Sequence, residues 1–399
     1  YSRIIEMKQM IAKLHEKGFR VIMDVVYNHM FDRQTSSFEN IMPNYYFKLG
    51  DNGEISNGSF CGNDVDSLRP MCRQFIVDSS CKMWVKEYGF DGFRFDLMGI
   101  LDTETMNQIA DECQAIDASV MVYGEGWNMP SIMPEEAKAM MYNNKKMPKI
   151  AHFNDRFGRG IKGSPFETEM SDIGYGLGYT GDIDRAMNVV AGSCTDIGME
   201  ALFVEPTMTL NYVECHDNMT LFDKIMLSTR CESLETRLKR QKMITALILV
   251  SQGIAFLHAG QEFNRTKDGD HNSYMSPDSV NQLDWDRKDE YIETVEFVKG
   301  FINLRKELKA LRLNTAEEIK QHVTVNKLDD RVIEYTISNV KAYGPYEEIK
   351  IFINPTHEPF NINLEKEYLI VADQSGLLKQ HLKSDQITIN AIELKVLAI

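Results

Sequence analysis

The feature that most constrains this chain is a series of short apolar runs, each closing on polar or charged residues. Residues 19–28, Phe-Arg-Val-Ile-Met-Asp-Val-Val-Tyr-Asn, are almost continuously apolar or β-branched, which suits a parallel strand buried on both faces. Tyr27, Asn28 and His29 lie at its end. Residues 90–96 close on Asp96, 119–125 on Glu125, 149–154 on Asp155, 209–215 on His216-Asp217-Asn218, and 253–258 near Gln261 and Glu262. Helical periodicity or composition separates these runs over residues 3–17, 79–88, 103–116, 182–191, 234–249 and 291–313. Strand alternating with helix predicts an α/β domain with a parallel sheet. Polar residues at the C-terminal ends of so many strands favour a (β/α)8 TIM barrel, because a doubly wound sheet would offer a single crevice. No Gly-x-Gly-x-x-Gly or Walker sequence follows a strand, which disfavours nucleotide binding. Beyond residue 313 the texture changes to short alternating runs at 323–327, 332–338, 348–353, 368–371, 387–389 and 393–399. The expected organisation is a barrel over 1–313 and a C-terminal all-β sandwich over 314–399.

Composition narrows the partners. A formal charge of −15 argues against nucleic acid or an anionic membrane surface. No apolar run approaches the roughly 20 residues of a membrane span. Seven cysteines, with no Cys-x-x-Cys pair, predict reduced thiols and favour the cytoplasm over secretion. Apolar stripes in 1–17 (Ile4, Ile5, Met7, Met10, Ile11, Leu14) and in 234–250 are expected in the core. The chain opens directly in the first of these helices, so residues upstream are expected to be missing. Residues 31–75 form a long, weakly periodic stretch, which inside a compact domain points to a functional loop.

Arg94 and Asp96 are two residues apart on one strand and therefore share a face. Asp24, in the middle of an apolar run, is expected to be buried and to need a partner, with Arg94 the candidate. Asp96, Glu125 and Asp217 sit at three strand ends and can converge. Acetal cleavage needs one protonated acid and one ionised carboxylate, so Arg94 would keep Asp96 charged while neighbouring negative charge keeps Glu125 protonated. Tyr27, Phe95, Trp127 and Phe222 are candidates to stack on sugar faces. A metal site built from the same acids is the rival; His29 and His216 have no local ligand spacing, and ligands from separate strands stay open.

Four segments then carry a resemblance. Asp24-Val-Val-Tyr-Asn-His29, Gly92-Phe-Arg-Phe-Asp96, Tyr123-Gly-Glu125-Gly-Trp127 and Val213-Glu-Cys-His-Asp217-Asn resemble, in order and spacing, motifs of the α-amylase family of glycoside hydrolases. The longer forms around Arg94, Gly124 and His216, with Phe256-Leu-His-Ala-Gly-Gln-Glu-Phe, Asn272-Ser-Tyr and Asn281-Gln-Leu-Asp-Trp285, look most like type I pullulanases. The resemblance implies a retaining hydrolase for α-1,6 branch linkages of pullulan, amylopectin and related α-glucans. It implies Asp96 as nucleophile, Glu125 as acid and then base, and Asp217 as transition-state stabiliser. His29, Arg94 and His216 would bind the sugar, with Trp127, Tyr27 and Phe222 around it, and Asp24 would brace Arg94. No cofactor is required. Calcium is left open, since no compact Asp-x-Asp-x-Asp loop is present.

The chain also departs from that pattern. The Tyr-Asn-Trp-Gly-Tyr-Asp-Pro segment that precedes the first helix in pullulanases is absent, and by family order Asp24 lies on the third barrel strand. Six strands cannot close an eight-stranded barrel, so a fragment is expected, with two sheet edges exposed and the rest of the same protein as a partner. Cys215 and Asn128 differ from the commonest family residues. An isoamylase, α-amylase or neopullulanase activity shares the same three carboxylates, and a non-catalytic barrel that binds glycans or partners a transporter is the reading from another class.

Overall fold

The computed structural model describes residues 1–378 and 382–399. They form two compact units, Tyr1–Phe153 and Asn154–Ile399. The first contains four parallel strands in order, β1 (Ile22–Val25), β2 (Gly92–Phe95), β3 (Met121–Gly124) and β4 (Ile150–Phe153). Parallel neighbours need long crossovers. Residues 70–88 supply one and the helix Thr103–Ile116 another. The second helix starts where Asp102 accepts the Thr105 amide at 2.9 Å, a side-chain N-cap. Phe75–Cys81 and Trp84–Tyr88 are wound as π-helix, and Gly89, at φ +79°, stops the run. Phe93, Phe95, Val122 and Ile150 meet Val77, Cys81, Ile109 and Cys113 in one core.

Two expectations about this unit are corrected. The helix Ser2–Glu16 forms, but only Ile11 of its apolar stripe is buried, while Ile4, Ile5 and Met10 stand in solvent. Asp24 is not buried either: its side chain is 55% exposed. Among the described residues β1 pairs only with β2, so no strand covers its other side.

The long segment 31–75 is organised by a buried carboxylate. Asp64 accepts Ser56 Oγ at 2.5 Å and the amides of Gly58 and Ser59 at 2.9 and 2.8 Å. Burial works against its charge, but these donors and Lys48 prevail and hold its pKa below the usual value of 3.8. Lys48 is itself buried, donates to the Ile100 carbonyl, and is lowered to about 8 by burial despite Asp64, Asp66 and Asp102. Asp64→Asn leaves these donors without a charged acceptor and is expected to cost about 1–3 kcal/mol at neutral pH. Because the folded pKa is depressed, that stabilisation is present above pH 3.8 and fades as pH falls through the folded value. Chemical denaturation of both proteins at pH 7 and pH 3 checks this: the gap must narrow at the lower pH.

In the second unit, β5 (Thr209–Asn211) and β6 (Ile254–Ala255) are parallel neighbours. Between them run the helices Leu221–Ser228 and Leu234–Val250. The latter is buried from Arg240 to Val250 except at Lys242, so it lies in the core as expected, though its burial is not confined to one apolar stripe. Strands β7 (Val323–Leu328), β8 (Val332–Ser338), β9 (Glu348–Asn354), β10 (Phe360–Asp373), β11 (Gly376–Leu377), β12 (Lys383–Ile389) and β13 (Glu393–Ala398) make a seven-stranded antiparallel sheet. Strand β10 is far longer than its expected core of 368–371. Two register shifts let it pair with β12 along one edge and β13 along the other. Residues on β9, β10, β12 and β13 enclose a small core of Phe352, Tyr368, Ile387, Ile389 and Leu397. Other residues of the sheet, among them Ile351, Val396 and Tyr335, share one large core with the helices Ile183–Val190, Leu234–Val250 and Ile292–Glu307. The compact units therefore divide at 153/154, whereas the change of texture lies at 313/314. Arg240 secures the shared core, donating to the Gly176 and Pro355 carbonyls at 3.2 and 3.0 Å and pairing with Glu232.

Among the described residues no helix is long and apolar enough to cross a membrane, and no group of three or more His, Cys, Asp or Glu is placed to hold a metal. All seven cysteines are free.

Candidate active site

In the first unit the site is built around one guanidinium. In-register parallel pairing sets Asp24 of β1 beside Arg94 of β2. Arg94, 8% exposed at its side chain, reaches Asp24 Oδ1 at 2.9 Å and Asp96 Oδ1 at 3.1 Å through Nη1, and Glu125 Oε1 at 2.5 Å through Nη2. Burial disfavours its charge, yet Glu125, Asp24 and Asp96 together raise its pKa above the ordinary arginine value. The Asn28 amide donates to the Asp96 carbonyl at 2.8 Å and to Oδ2 at 2.9 Å, so both Asp96 carboxylate oxygens are fixed. His29 Nδ1 lies 2.5 Å from Asn28 Oδ1, which orients the imidazole through the same asparagine. Glu125 Oε2 accepts the Leu97 amide at 3.0 Å, and Leu97 takes a left-handed φ of +38° just past Asp96. The two carboxylates thus share Arg94 and are tied to consecutive residues of one chain segment.

The turn after Glu125 is packed from below by His152 of β4. A Cβ added at Gly126 would stand 2.4 Å from His152 Nδ1 and 2.8 Å from the Met141 nitrogen. Full burial lowers the His152 pKa to about 3, so the ring is neutral at working pH. Gly126→Ala must push the Glu125–Trp127 turn or His152 aside. It is expected to cost about 1–3 kcal/mol by overpacking. A thermal melt of the variant beside the parent checks the number. Trp127 is partly exposed, as a platform requires. Tyr27 is held differently: its hydroxyl bonds Ser80 and accepts Trp84 Nε1 at 3.2 Å, and its ring packs edge-on to Phe95. Phe95 is fully buried, which removes it from the sugar-facing aromatics.

The second unit carries His216, Asp217 and Phe222. His216 and Asp217 are exposed just beyond β5, with Nε2 to Oδ1 at 3.6 Å. Behind them lies a buried polar assembly: Glu214 Oε1 meets His258 Nδ1 at 3.1 Å, and His258 Nε2 meets Arg265 Nη1 at 3.1 Å. Lys267 Nζ donates to the His216 carbonyl at 2.9 Å and to Ser273 Oγ at 3.1 Å, while its amide donates to Asp223 at 2.8 Å. Phe222 is buried, with Arg287 over its ring at 5.1 Å and Tyr291 packed at 6.4 Å, so its contacts are those of a packed ring and not of an open sugar platform.

Comparison with known proteins bears on this arrangement. Residues 319–375 match the family model described as pullulanase, all-beta domain. Over 94% of its length the chain is 38% identical to a pullulanase of Bacillus subtilis, of which it covers 52%. The crystal structure of type I pullulanase from that species, complexed with maltose, superposes with a TM-score of 0.96 at 36% identity, covering all of this chain and 56% of that one. Over its matched length the chain is similar to type I pullulanases. Pullulanase from Anoxybacillus sp. LM18-11 complexed with maltotetraose gives a TM-score of 0.94 at 42% identity, again over the whole chain and 56% of the other. The chain spans 52% of the length of that Bacillus subtilis pullulanase, 32% of pullulanase A of Streptococcus pneumoniae and 30% of the pullulanase of Klebsiella aerogenes. Its parallel strands and helices are accordingly part of a TIM barrel, followed by the antiparallel β domain.

Two sets of residues in this chain escape sequence reading. Asn28 holds both the backbone and carboxylate of Asp96, and its place next to His29 at a strand end was the available signal. Glu214 and His258 lie within the motif segments but carry no assigned role there, while His152 and Lys267 lie outside them and nothing local in the sequence distinguishes these two from ordinary core polar residues.

Proposed function

We propose that this chain supplies the catalytic part of a hydrolase that cleaves α-1,6-glucosidic branch linkages in pullulan, amylopectin and related α-glucans by retaining double displacement. The observation that carries the reading is the single guanidinium of Arg94 shared by Asp96 and Glu125 at 3.1 and 2.5 Å. In the first step Glu125 gives its proton to the bridging oxygen as Asp96 attacks the anomeric carbon and the C–O bond breaks, leaving a glycosyl ester. In the second step Glu125 takes a proton from water, which displaces Asp96 and restores the carboxylate. Asp217 takes the role of stabilising the positively charged transition state. His29 and His216 bind the sugar at the cleavage point, Trp127 stacks on it, and Arg94 orients Asp96 with Asp24 bracing it. Tyr27 supports this group through its contact with Phe95. The seven free thiols favour a reducing, cytoplasmic compartment.

Incubation of the whole protein with pullulan tests the reading. Release of maltotriose is expected, whereas panose-type products would assign an α-amylase or neopullulanase specificity instead. Binding of maltooligosaccharides without any turnover would leave a glycan-binding barrel.

A further inference from the structure

Resting on the α-glucan reading above, we propose that Phe60 is a sugar-stacking platform at the rim of the Asp96 site and helps set how tightly the α-glucan is held. Phe60 is 74% exposed and holds a left-handed φ of +62°. A bulky side chain disfavours that conformation, and such strain persists only where the surroundings impose it.

The surroundings do impose it. Asp64 fixes the amides of Gly58 and Ser59 at 2.9 and 2.8 Å, Ser59 Oγ donates to the Asn63 carbonyl at 2.7 Å, and the Phe60 and Gly62 amides both donate to Asn57, at 3.2 and 2.7 Å. The loop is anchored on two sides. Asn63 exchanges hydrogen bonds of 2.9 and 2.7 Å with the backbone of Met30, next to His29. On the other side the Ile132 amide donates to Ser56 Oγ at 3.3 Å, and a Cβ at Gly58 would lie 2.5 Å from the Ser131 nitrogen, so the loop presses on the segment that follows Trp127. Residues 56–64 thus connect the His29 side of the site to its Trp127 side. Cys61, beside Phe60, is close enough to Asp96 for that carboxylate to add to burial in raising its thiol pKa. A rigid, strained loop therefore holds an unpacked aromatic ring between the His29 and Trp127 sides of the site. Pyranose rings present apolar C–H faces to such a ring, and stacking contacts favour aromatic side chains held rigidly in advance.

The test uses the whole protein with Phe60→Gly and Phe60→Tyr, and titrates maltotetraose into each by calorimetry. Phe60→Gly is expected to weaken binding by up to about tenfold, to raise KM more than it lowers kcat, and to leave the melting temperature the same or higher because glycine relieves the left-handed backbone. Phe60→Tyr keeps the ring and should bind like the parent. Unchanged affinity in Phe60→Gly, or a weakening matched by a fall in melting temperature, overturns the platform. A parent that binds maltotetraose but does not cleave pullulan sinks the hydrolase reading alone, and the titrations still decide Phe60. A parent that binds no maltotetraose overturns both.

Discussion

Replacing Asp96 by Asn is expected to reduce hydrolysis of α-glucans by on the order of 10⁴-fold or more while leaving the fold intact. The side chains are nearly isosteric, and the Asn28 and Arg94 contacts to Asp96 are made at a partly exposed strand end, not in the core. What is lost is the nucleophile: a carboxamide cannot form the glycosyl ester. Initial rates on pullulan, near-UV circular dichroism and the melting temperature check the result together. Turnover within tenfold of the parent would remove Asp96 from the chemistry. Normal binding of maltotetraose by the variant would show that its loss lies in the bond-breaking step.

Arg94→Met is expected to combine a large stability loss with a large activity loss. Methionine roughly preserves the apolar stem but leaves Asp24, Asp96 and Glu125 facing one another without a cation. Breaking a buried pair in this way costs about 3–5 kcal/mol. The Asp24 share is smaller because that side chain is 55% exposed and screened, so about 3 kcal/mol is the working figure. Activity should fall by about 10²–10³-fold, the range for removing one fixed electrostatic partner from a site. Asp24→Asn should cost under about 1 kcal/mol, since its charge is largely in water. Arg94→Lys should fall between them, because a single ammonium cannot reproduce the planar fork. Urea unfolding of the three variants at constant ionic strength orders them. A ranking with Asp24→Asn as the most damaging would refute the arrangement.

Much of the site's first half is legible in the residue order. Period 2 puts Arg94 and Asp96 on one face, and the need of Asp24 for a partner points to Arg94, which the structure pairs at 2.9 Å. The helices at 103–116 and 234–250 also follow from their helical periodicity or composition. Exposure is less legible. The stripe of the first helix and the mid-strand position of Asp24 both read as buried, yet burial depends on what packs alongside, which no local pattern records. Phe222 fails in the opposite sense: an aromatic beside a motif reads as a platform, and Arg287, far away in sequence, covers it. The loop from 31 to 75 lacks periodicity because its order comes from one buried carboxylate and its donors, an arrangement that leaves no repeating trace. The length of β10 was hidden by its register shifts, which interrupt the alternation that marks a strand.

Arg94 sits between two groups that exchange charge during the proposed reaction. In the proposed scheme Asp96 passes from anion to neutral ester while Glu125 passes from proton donor to anion. The net charge presented to the guanidinium is the same at both stages, and only its position moves, from the 3.1 Å contact to the 2.5 Å one. A fixed cation in contact with both ends of that shift needs little reorganisation to serve either state. One buried side chain can then act as a constant electrostatic reference for both half-reactions.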